Sequence, residues 1–553
     1  MRILILALFL LSNVVLADTF DDVISIFETK CQSCHSGATP AGELDLTGSK
    51  DAIYDKIFEV SPTNSTAAQN GDKIVDAGYP MRSSIYKKIN DGLYHDAELK
   101  TGEGSSMSEY GVNVDDWERE LIRSWIYNGA KKTGNPPVGT KPVIQDYFDN
   151  GGIAKMEKPA EPENGFQLYC GSIFMEPDQE WEMVYKHELN NPEPLEITKI
   201  EVFMADFSHH FLFFEYLPNQ WQDDDEGFRE VGVFTGEIAL TGDTKMISGW
   251  AYSRAFELPV GTAYKWDANS VLKFNYHIKN YSQNQVFPAE LYINVHTQPV
   301  GTAIEEMHSD FLIDTNFFGT FIPANGEETV LSSTESGFGA ASGNQDVHIW
   351  ALAGHTHSLG VDYDIYLNDN GNKGEQVYEG MYDINYEFFT GVYDYAEPPF
   401  AMYDDYITIK RNDGLIQEAK YINNTGSLVG YGLTTEDEMM GFFTQYMVGD
   451  ISELLEYQDS VANAEPPVNI AQLSKNDRIK LVPNPNNGLF TVDLGDVLNA
   501  NIQVFDVTGR LVNSTEINNA RKQTIDLQAQ SNGVYFVYIN VNGEQFVQKL
   551  LKN

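Results

Sequence analysis

The rhythm of apolar and polar residues changes twice along these 553 residues. In Asp115–Ala130, residues Trp117, Leu121, Ile122, Trp125 and Ile126 recur at intervals that put them on one face of a helix. The spacing predicts a mostly helical segment over 18–132. KKTGNPPVGTKP (131–142) and MEKPAEPENG (156–165) are rich in Gly and Pro and read as linker, giving a joint at 133–165. From Phe166 to about Tyr457 short runs such as IEVFMA, FLFFEY, VLKFNYHI and AELYINV alternate with a period of two between Gly, Asn, Asp and Pro turns. That pattern predicts antiparallel β-sandwich. QDSVANAEPPVNIAQLSK (458–475) reads as a second linker, and LFTVDL, NIQVFDV, GVYFVYINV and QFVQKLL predict a small β-sandwich over 476–553. The expected order is therefore α-helical domain, long β region, small β domain.

Charge narrows the function. The chain carries 36 Lys and Arg against 81 Asp and Glu, a net −45. A balance this acidic supplies no broad basic surface, which argues against binding nucleic acid or an anionic membrane. Hydrophobic residues make up 42%, too many for an acidic disordered chain. Met1–Ala17 (MRILILALFLLSNVVLA) has one Arg, an apolar run and a small-residue cleavage site before Asp18, the pattern of a signal peptide. The run is shorter than the roughly 18–20 residues of a membrane span. No cysteine follows it to carry a lipid, and no later segment is long and apolar enough to span. A soluble exported protein is expected.

Only three cysteines occur, and two of them stand in Cys31-Gln-Ser-Cys34-His35. This C-x-x-C-H spacing is the attachment signature of a c-type haem: two thiols on one helical turn meet the two vinyl groups, and the adjacent His ligates the iron. A zinc site would need a second ligand pair, and no further cysteine lies nearby. The region resembles the small cytochrome c domains fused to bacterial exported enzymes, through CQSCHSG, Leu44-Asp-Leu46, Ser83-Ser-Ile-Tyr-Lys-Lys-Ile89, Trp125-Ile126 and Gly129-Ala130. The resemblance implies a Met as sixth iron ligand. Met107 is the best match, although Ser108 stands where Pro is usual, and Met81 after Pro80 is the other candidate. His95 reads as a surface residue.

Three histidine features stand out in the β region: His209-His210, His277, and His355-Thr-His357. On a strand, positions i and i+2 share a face, so His355 and His357 can share a metal. Adjacent His209 and His210 point to opposite faces and can share one only at a strand end or a bulge. Imidazoles without a cysteine or carboxylate cluster favour copper, zinc or nickel over magnesium or calcium.

The order HH, H, HTH and then Glu438-Met439 resembles the copper type II ascorbate-dependent monooxygenases, the family of peptidylglycine α-hydroxylating monooxygenase and dopamine β-monooxygenase. It covers residues 166–455, and GLIQEAKYINNTGSLVGYGLT before the Glu-Met pair also matches. The resemblance implies two jelly-roll-like sandwiches, 166–302 and 303–457. It also implies two coppers: one stores electrons on His209, His210 and His277, and the other meets dioxygen on His355, His357 and Met439. A thioether beside imidazoles suits Cu(I). Met440 reads as core. The amidating members hold a substrate carboxylate with Arg, Asn and Tyr at positions that are here Ala353, Gly441 and Phe443. A glycine-extended peptide is therefore not the expected substrate. Phe442 and Phe443 read equally as an apolar substrate wall or as core. Asn275 stands where the family often has Gln. Cys170 matches a half-cystine whose partner is missing and reads as a buried free thiol. His187, His296, His308 and His348 read as structural or surface residues.

The C-terminal segment resembles the type A sorting domain of type IX secretion, through Val482-Pro-Asn-Pro485, Asn487-Gly488, Val504-Phe-Asp-Val-Thr-Gly-Arg510, Gly533-Val-Tyr-Phe-Val537 and a late lysine. Taken together, the expectation is a secreted or cell-surface monooxygenase with two copper ions and one covalent c-type haem. It would hydroxylate a C–H bond of an organic substrate with O2, using electrons from an ascorbate-like donor or a redox protein. The alternative is a non-catalytic copper and haem protein for electron transfer or copper capture.

Overall fold

The N-terminal segment does not build the α-helical domain that its periodicity predicts. In the computed structural model it consists of short helices, Thr19–Ile26, Lys50–Ile57, Ser65–Gln69, Ser84–Lys87 and Asp116–Tyr127, joined by long turns. The apolar period of a helix is sustained only in the last of these. Elsewhere polar and Gly-rich stretches close turns, as at Gly104 and Gly111 with φ of +85° and +80°. A capping box of Asp115 and Glu118 starts Asp116–Tyr127. Its Leu121, Ile122, Trp125 and Ile126 are buried, with Trp125 stacked on Phe20 at 4.9 Å between ring centroids. The expected linker 133–165 is also partly folded: Lys141–Asn150 is a helix, started by Pro at its first turn, that buries Val143 and Ile144 in the same core.

The structure describes residues 18–221, 226–230, 243–250, 253–314, 321–336, 345–383, 388–389, 393–395, 398–410, 413–432, 434–463, 480–484, 486–494, 500–506, 510–517, 520–541 and 544–552. The signal segment 1–17, most of the linker 458–475, Pro485 and Val507-Thr-Gly509 lie outside them.

The rest of the described chain is β, as its alternation predicts, apart from the helix Ser452–Ala462, which runs into the expected linker 458–475. Met1–Gln458 and Asp459–Asn553 are two compact units. In the first unit a six-stranded sheet runs Gly165–Met175, Phe287–Gln298, Leu195–Met204, Thr262–Trp266, Glu305–Glu306, with Arg254–Glu257 also paired to Leu195–Met204. It shares a core with a nine-stranded sheet, and its own Tyr169, Phe174 and Tyr292 reach into the N-terminal core. Tyr185 Oη donates to Gly78 O at 2.8 Å and the Phe228 N–H to Tyr127 O at 2.8 Å, tying the N-terminal segment to the first sandwich. The nine-stranded sheet crosses the expected boundary at 302/303. Strands Glu180–Glu188, Val271–Lys279, Ser208–Tyr216 and Thr244–Trp250 continue through the Ser309–Met246 pairing into His308–Ile313, Gly441–Val448, Val347–His355 and Ala401–Ile409. The latter half faces a four-stranded sheet of Glu328–Ser336, Gly414–Ile422, Gly360–Asp369 and Asn372–Glu379 over a second core. The C-terminal unit holds a three-stranded and a four-stranded antiparallel sheet around Phe490, Val492, Ile502, Val504 and Val537.

On the outer side of the four-stranded sheet, ligand atoms of Asp362, Asp364 and Glu379 all lie within 4.8 Å of one another. Burial, then Asp362 and Glu379, push the Asp364 carboxyl up to about 6. The native value lies above the unfolded value of about 3.9, so the native state binds more protons. This group's favourable contribution is complete below about pH 4 and is lost as pH rises through about 6. Asp364→Asn is expected to raise the urea unfolding midpoint at pH 8 and leave it nearly unchanged at pH 4. An equal shift at both pH values would contradict this assignment.

Candidate functional site

Four histidines from three distant parts of the chain meet where the two halves of the nine-stranded sheet come together. His210 and His277 are direct cross-strand partners, and the register breaks between Ser208 and His210, so a bulge falls at position 209. That is the local geometry that adjacent histidines need in order to share a ligand; the His209 side chain itself lies outside the described residues. His355 ends its strand and His357 lies beyond it, so their proximity comes from a turn and not from i, i+2 alternation. The rings form one continuous series: His277 to His210 is 5.0 Å between centroids, His210 to His355 is 5.8 Å, and His355 to His357 is 5.3 Å. The two expected ligand sets are thus adjacent.

Met439 is buried and lines the same small cavity of about 50 Å³ as His210 and His355. The apolar wall is Leu212, Trp250, Phe311, Phe400 and Phe443. Phe442, on the opposite strand face, goes into the second core, so only Phe443 of the two faces the cavity. Ala353 also lines it, and a Cβ at Gly441 would lie 2.9 Å from Leu312 O. No longer side chain fits at that position.

Hydrogen bonds orient the rings. His357 Nδ1 lies 3.2 Å from the Asp437 carbonyl, which places the proton on Nδ1 and leaves Nε2 as the basic nitrogen. His277 Nε2 lies 2.9 Å from Glu180 Oε1. The buried Glu438 carboxylate accepts the backbone N–H of His357 (2.9 Å), Leu359 (2.5 Å) and Met439 (3.2 Å), so one side chain fixes the turn and the methionine together. Burial pushes Glu438 up to about 7 against these donors. Burial and then its histidine neighbours hold His355 well below the ordinary imidazole range and bring His357 down to about 3. Glu180 is held near about 2, because the His277 bond and the Thr435 N–H outweigh its burial.

The carboxylates were not legible as part of this site. Glu180 and Glu182 alternate on strand Glu180–Glu188, and Glu182 lines the cavity. The only available signal, E-W-E at the start of a strand, also describes an ordinary solvated edge.

The second site is a cavity of about 420 Å³ in the N-terminal segment, within the range of ligand pockets of about 300–1,000 Å³. Cys31, Cys34, His35 and Met107 line it together with apolar Leu44, Leu46, Ile85 and Ile89. The two thiols are unpaired, and His35 Nδ1 is buried with no hydrogen-bond partner. An apolar cavity with two thiols, an orphaned imidazole nitrogen and a thioether fits a covalently held haem. Met81 is not on this lining; it packs between the N-terminal and first-sandwich cores. His95 is not a free surface residue. It packs against Tyr169 and Tyr292 at 5.4 and 5.7 Å. His187 stacks on Phe274, His296 pairs with Glu201, His308 packs on Tyr446 and His348 bonds to Gly449 O. Cys170 is buried and unpaired.

Residues 480–553 match the family described as "Secretion system C-terminal sorting domain". This segment is the sorting tail of type IX secretion, and it directs the chain across the outer membrane to the cell surface or the exterior. The match does not extend to the two sites. No curated protein matches the chain. Solved structures with similarity include the BSP domain of a biofilm associated protein (9% identity, 72% of this chain and 84% of that one, TM-score 0.13). Others are the CBM51-2 and INT domains of Clostridium perfringens ZmpB (10%, 48% and 86%, 0.13) and a Ruminococcus gnavus β-glucuronidase (12%, 46% and 38%, 0.12). Likeness at these TM-scores carries no argument. Among the described residues no helix is long and apolar enough to cross a membrane.

Proposed function

We propose that this chain is an exported copper-dependent monooxygenase that hydroxylates a C–H bond of an organic substrate with O2, with electrons entering through a haem on Cys31 and Cys34. The observation that carries the reading is the convergence of His210, His277, His355, His357 and Met439 in one buried site. His277 and His357 are buried and His210 and His355 partly buried; burying imidazoles is costly unless they are paired or bind a metal, and core packing alone has no need of them. Copper bound there would supply one-electron chemistry toward dioxygen, and a haem held by Cys31, Cys34 and His35 would supply the electron entry. His277 and His357 present rings whose orientation is fixed by Glu180 and Asp437. Met439 adds a soft thioether. Leu212, Trp250, Phe311 and Phe443 exclude water and favour an apolar substrate portion, while Ala353 and Gly441 leave no cationic clamp for a carboxylate.

The second reading, a non-catalytic copper and haem protein, draws on one observation: the cavity, about 50 Å³, is small beside ligand pockets of about 300–1,000 Å³. A substrate would require the walls to part.

The test uses metal-loaded, haem-complete protein. The haem is reduced with dithionite, and oxygen and candidate substrates are then added. Haem reoxidation that depends on substrate is expected, and reoxidation unaffected by substrate or by copper would contradict the electron route. Cys34→Ala combined with Cys31→Ala is expected to leave a protein with no covalent haem by denaturing-gel haem stain. Retained covalent haem would contradict the attachment.

A further inference from the structure

Strand Glu180–Glu188 carries two carboxylates two residues apart, hence on one face of the sheet. The register sets Glu182 directly opposite His277, and His277 directly opposite His210, so the three form a row across three strands. Glu180 Oε1 lies 2.9 Å from His277 Nε2. Glu182 Oε1 lies 3.7 Å from His210 Nε2 and accepts Asn275 Nδ2 at 3.0 Å. The other oxygen, Glu182 Oε2, is buried without a hydrogen-bond partner, and the residue lines the cavity shared with His210, His355 and Met439.

A buried carboxylate oxygen with no donor costs several kcal/mol unless a cation stands nearby. Glu180 has a second task. It also accepts the Thr435 N–H at 3.0 Å, the Thr435 hydroxyl at 3.2 Å and Lys279 Nζ at 3.1 Å. Thr435 belongs to the loop that leads to Met439. Through one side chain, the His277 strand is therefore joined to the methionine-bearing loop.

We propose that Glu180 and Glu182 are the anchoring carboxylates of the metal site, each a positioning residue for one histidine. Glu180 fixes the ring orientation and tautomer of His277 and couples it to the Met439 loop. Glu182 places a negative charge beside His210, which offsets the charge of a cation held there. Carboxylate partners of this kind orient ligating imidazoles and raise their basicity. The proposal rests on His210 and His277 being metal ligands, and the experiment separates the two.

Metal-free full-length protein is titrated with Cu(II) against a competing chelator, and the bound copper is followed by electron paramagnetic resonance. Glu180→Gln and Glu182→Gln are each expected to weaken binding by about 10–100-fold and to change the copper signal. Glu201→Gln, which breaks a carboxylate–histidine pair with His296 outside the site, serves as the control and is expected to change neither. Glu180→Gln is further expected to disturb the copper that depends on Met439, while Glu182→Gln leaves it intact. If a Gln variant fails to fold, the corresponding Asp variant decides, since it keeps the charge at shorter reach and should bind more weakly than wild type with an altered signal. Wild-type affinity and signal in the Glu180 and Glu182 variants would overturn the proposal and leave the metal reading standing. Copper binding unaffected by His210→Ala and His277→Ala together would overturn the metal reading itself.

Discussion

A Met439→Ala protein, copper-loaded and haem-complete, is expected to lose substrate-dependent oxygen uptake by at least the 10–100-fold that loss of an outer metal partner costs, while retaining copper at His210 and His277. Met439 is 4% exposed and faces the cavity beside His355. Its neighbour supplies the control. Met440 is fully buried in the second-sandwich core, on the opposite side of the chain. Met440→Ala is expected to destabilise the protein by about 2–5 kcal/mol and leave turnover per folded molecule unchanged. The two adjacent substitutions thus separate chemistry from packing. Oxygen uptake in Met439→Ala equal to wild type would favour the non-catalytic reading.

A large stability effect is also expected at Glu438. Glu438→Ala leaves the buried N–H groups of His357, Leu359 and Met439 without their acceptor. Each stranded donor costs about 1–3 kcal/mol. Removing a carboxyl that burial already disfavours offsets part of that, so a net loss of about 3 kcal/mol is expected in urea unfolding followed by tryptophan fluorescence. Glu438→Gln keeps one acceptor oxygen and should lose less. The Ala variant should also bind copper more weakly, because the turn holding His357 and the backbone of Met439 lose their common anchor. A change below about 0.5 kcal/mol, the size of an ordinary surface substitution, would contradict this role.

The β region was largely legible because period-two alternation states both the strand and its buried face. Phe442 and Phe443 show where such reading stops: alternation says that they face opposite ways, but only the sheet partners decide which one faces the cavity. The N-terminal segment departs from the helical expectation because only Asp116–Tyr127 sustains the apolar period of a helix, and the polar turns around it do not support one. The histidines stood out in the sequence and the resemblance set His210 with His277 and His355 with His357, but the adjacency of the two sets was not legible. His210 and His355 approach through the pairing that joins the two halves of one sheet, a contact between residues 145 positions apart in the sequence, whose 5.8 Å separation no local pattern encodes. Glu180 and Glu182 escaped notice, and Glu438 stood out only as the neighbour of Met439, because a carboxylate's role depends on which N–H or ring it meets after folding. The −45 net charge is consistent with that: in so acidic a chain, single glutamates carry little signal.

The central claim is that the histidine and methionine site uses dioxygen to hydroxylate a substrate. The most direct measurement incubates copper-loaded, haem-complete protein with a reductant, isotopically labelled O2 and a library of apolar organic substrates lacking a carboxylate, followed by mass spectrometry. The account predicts a product carrying one labelled oxygen atom that is absent with the Met439→Ala protein. Full copper occupancy with no labelled product and no substrate-dependent oxygen consumption would contradict it.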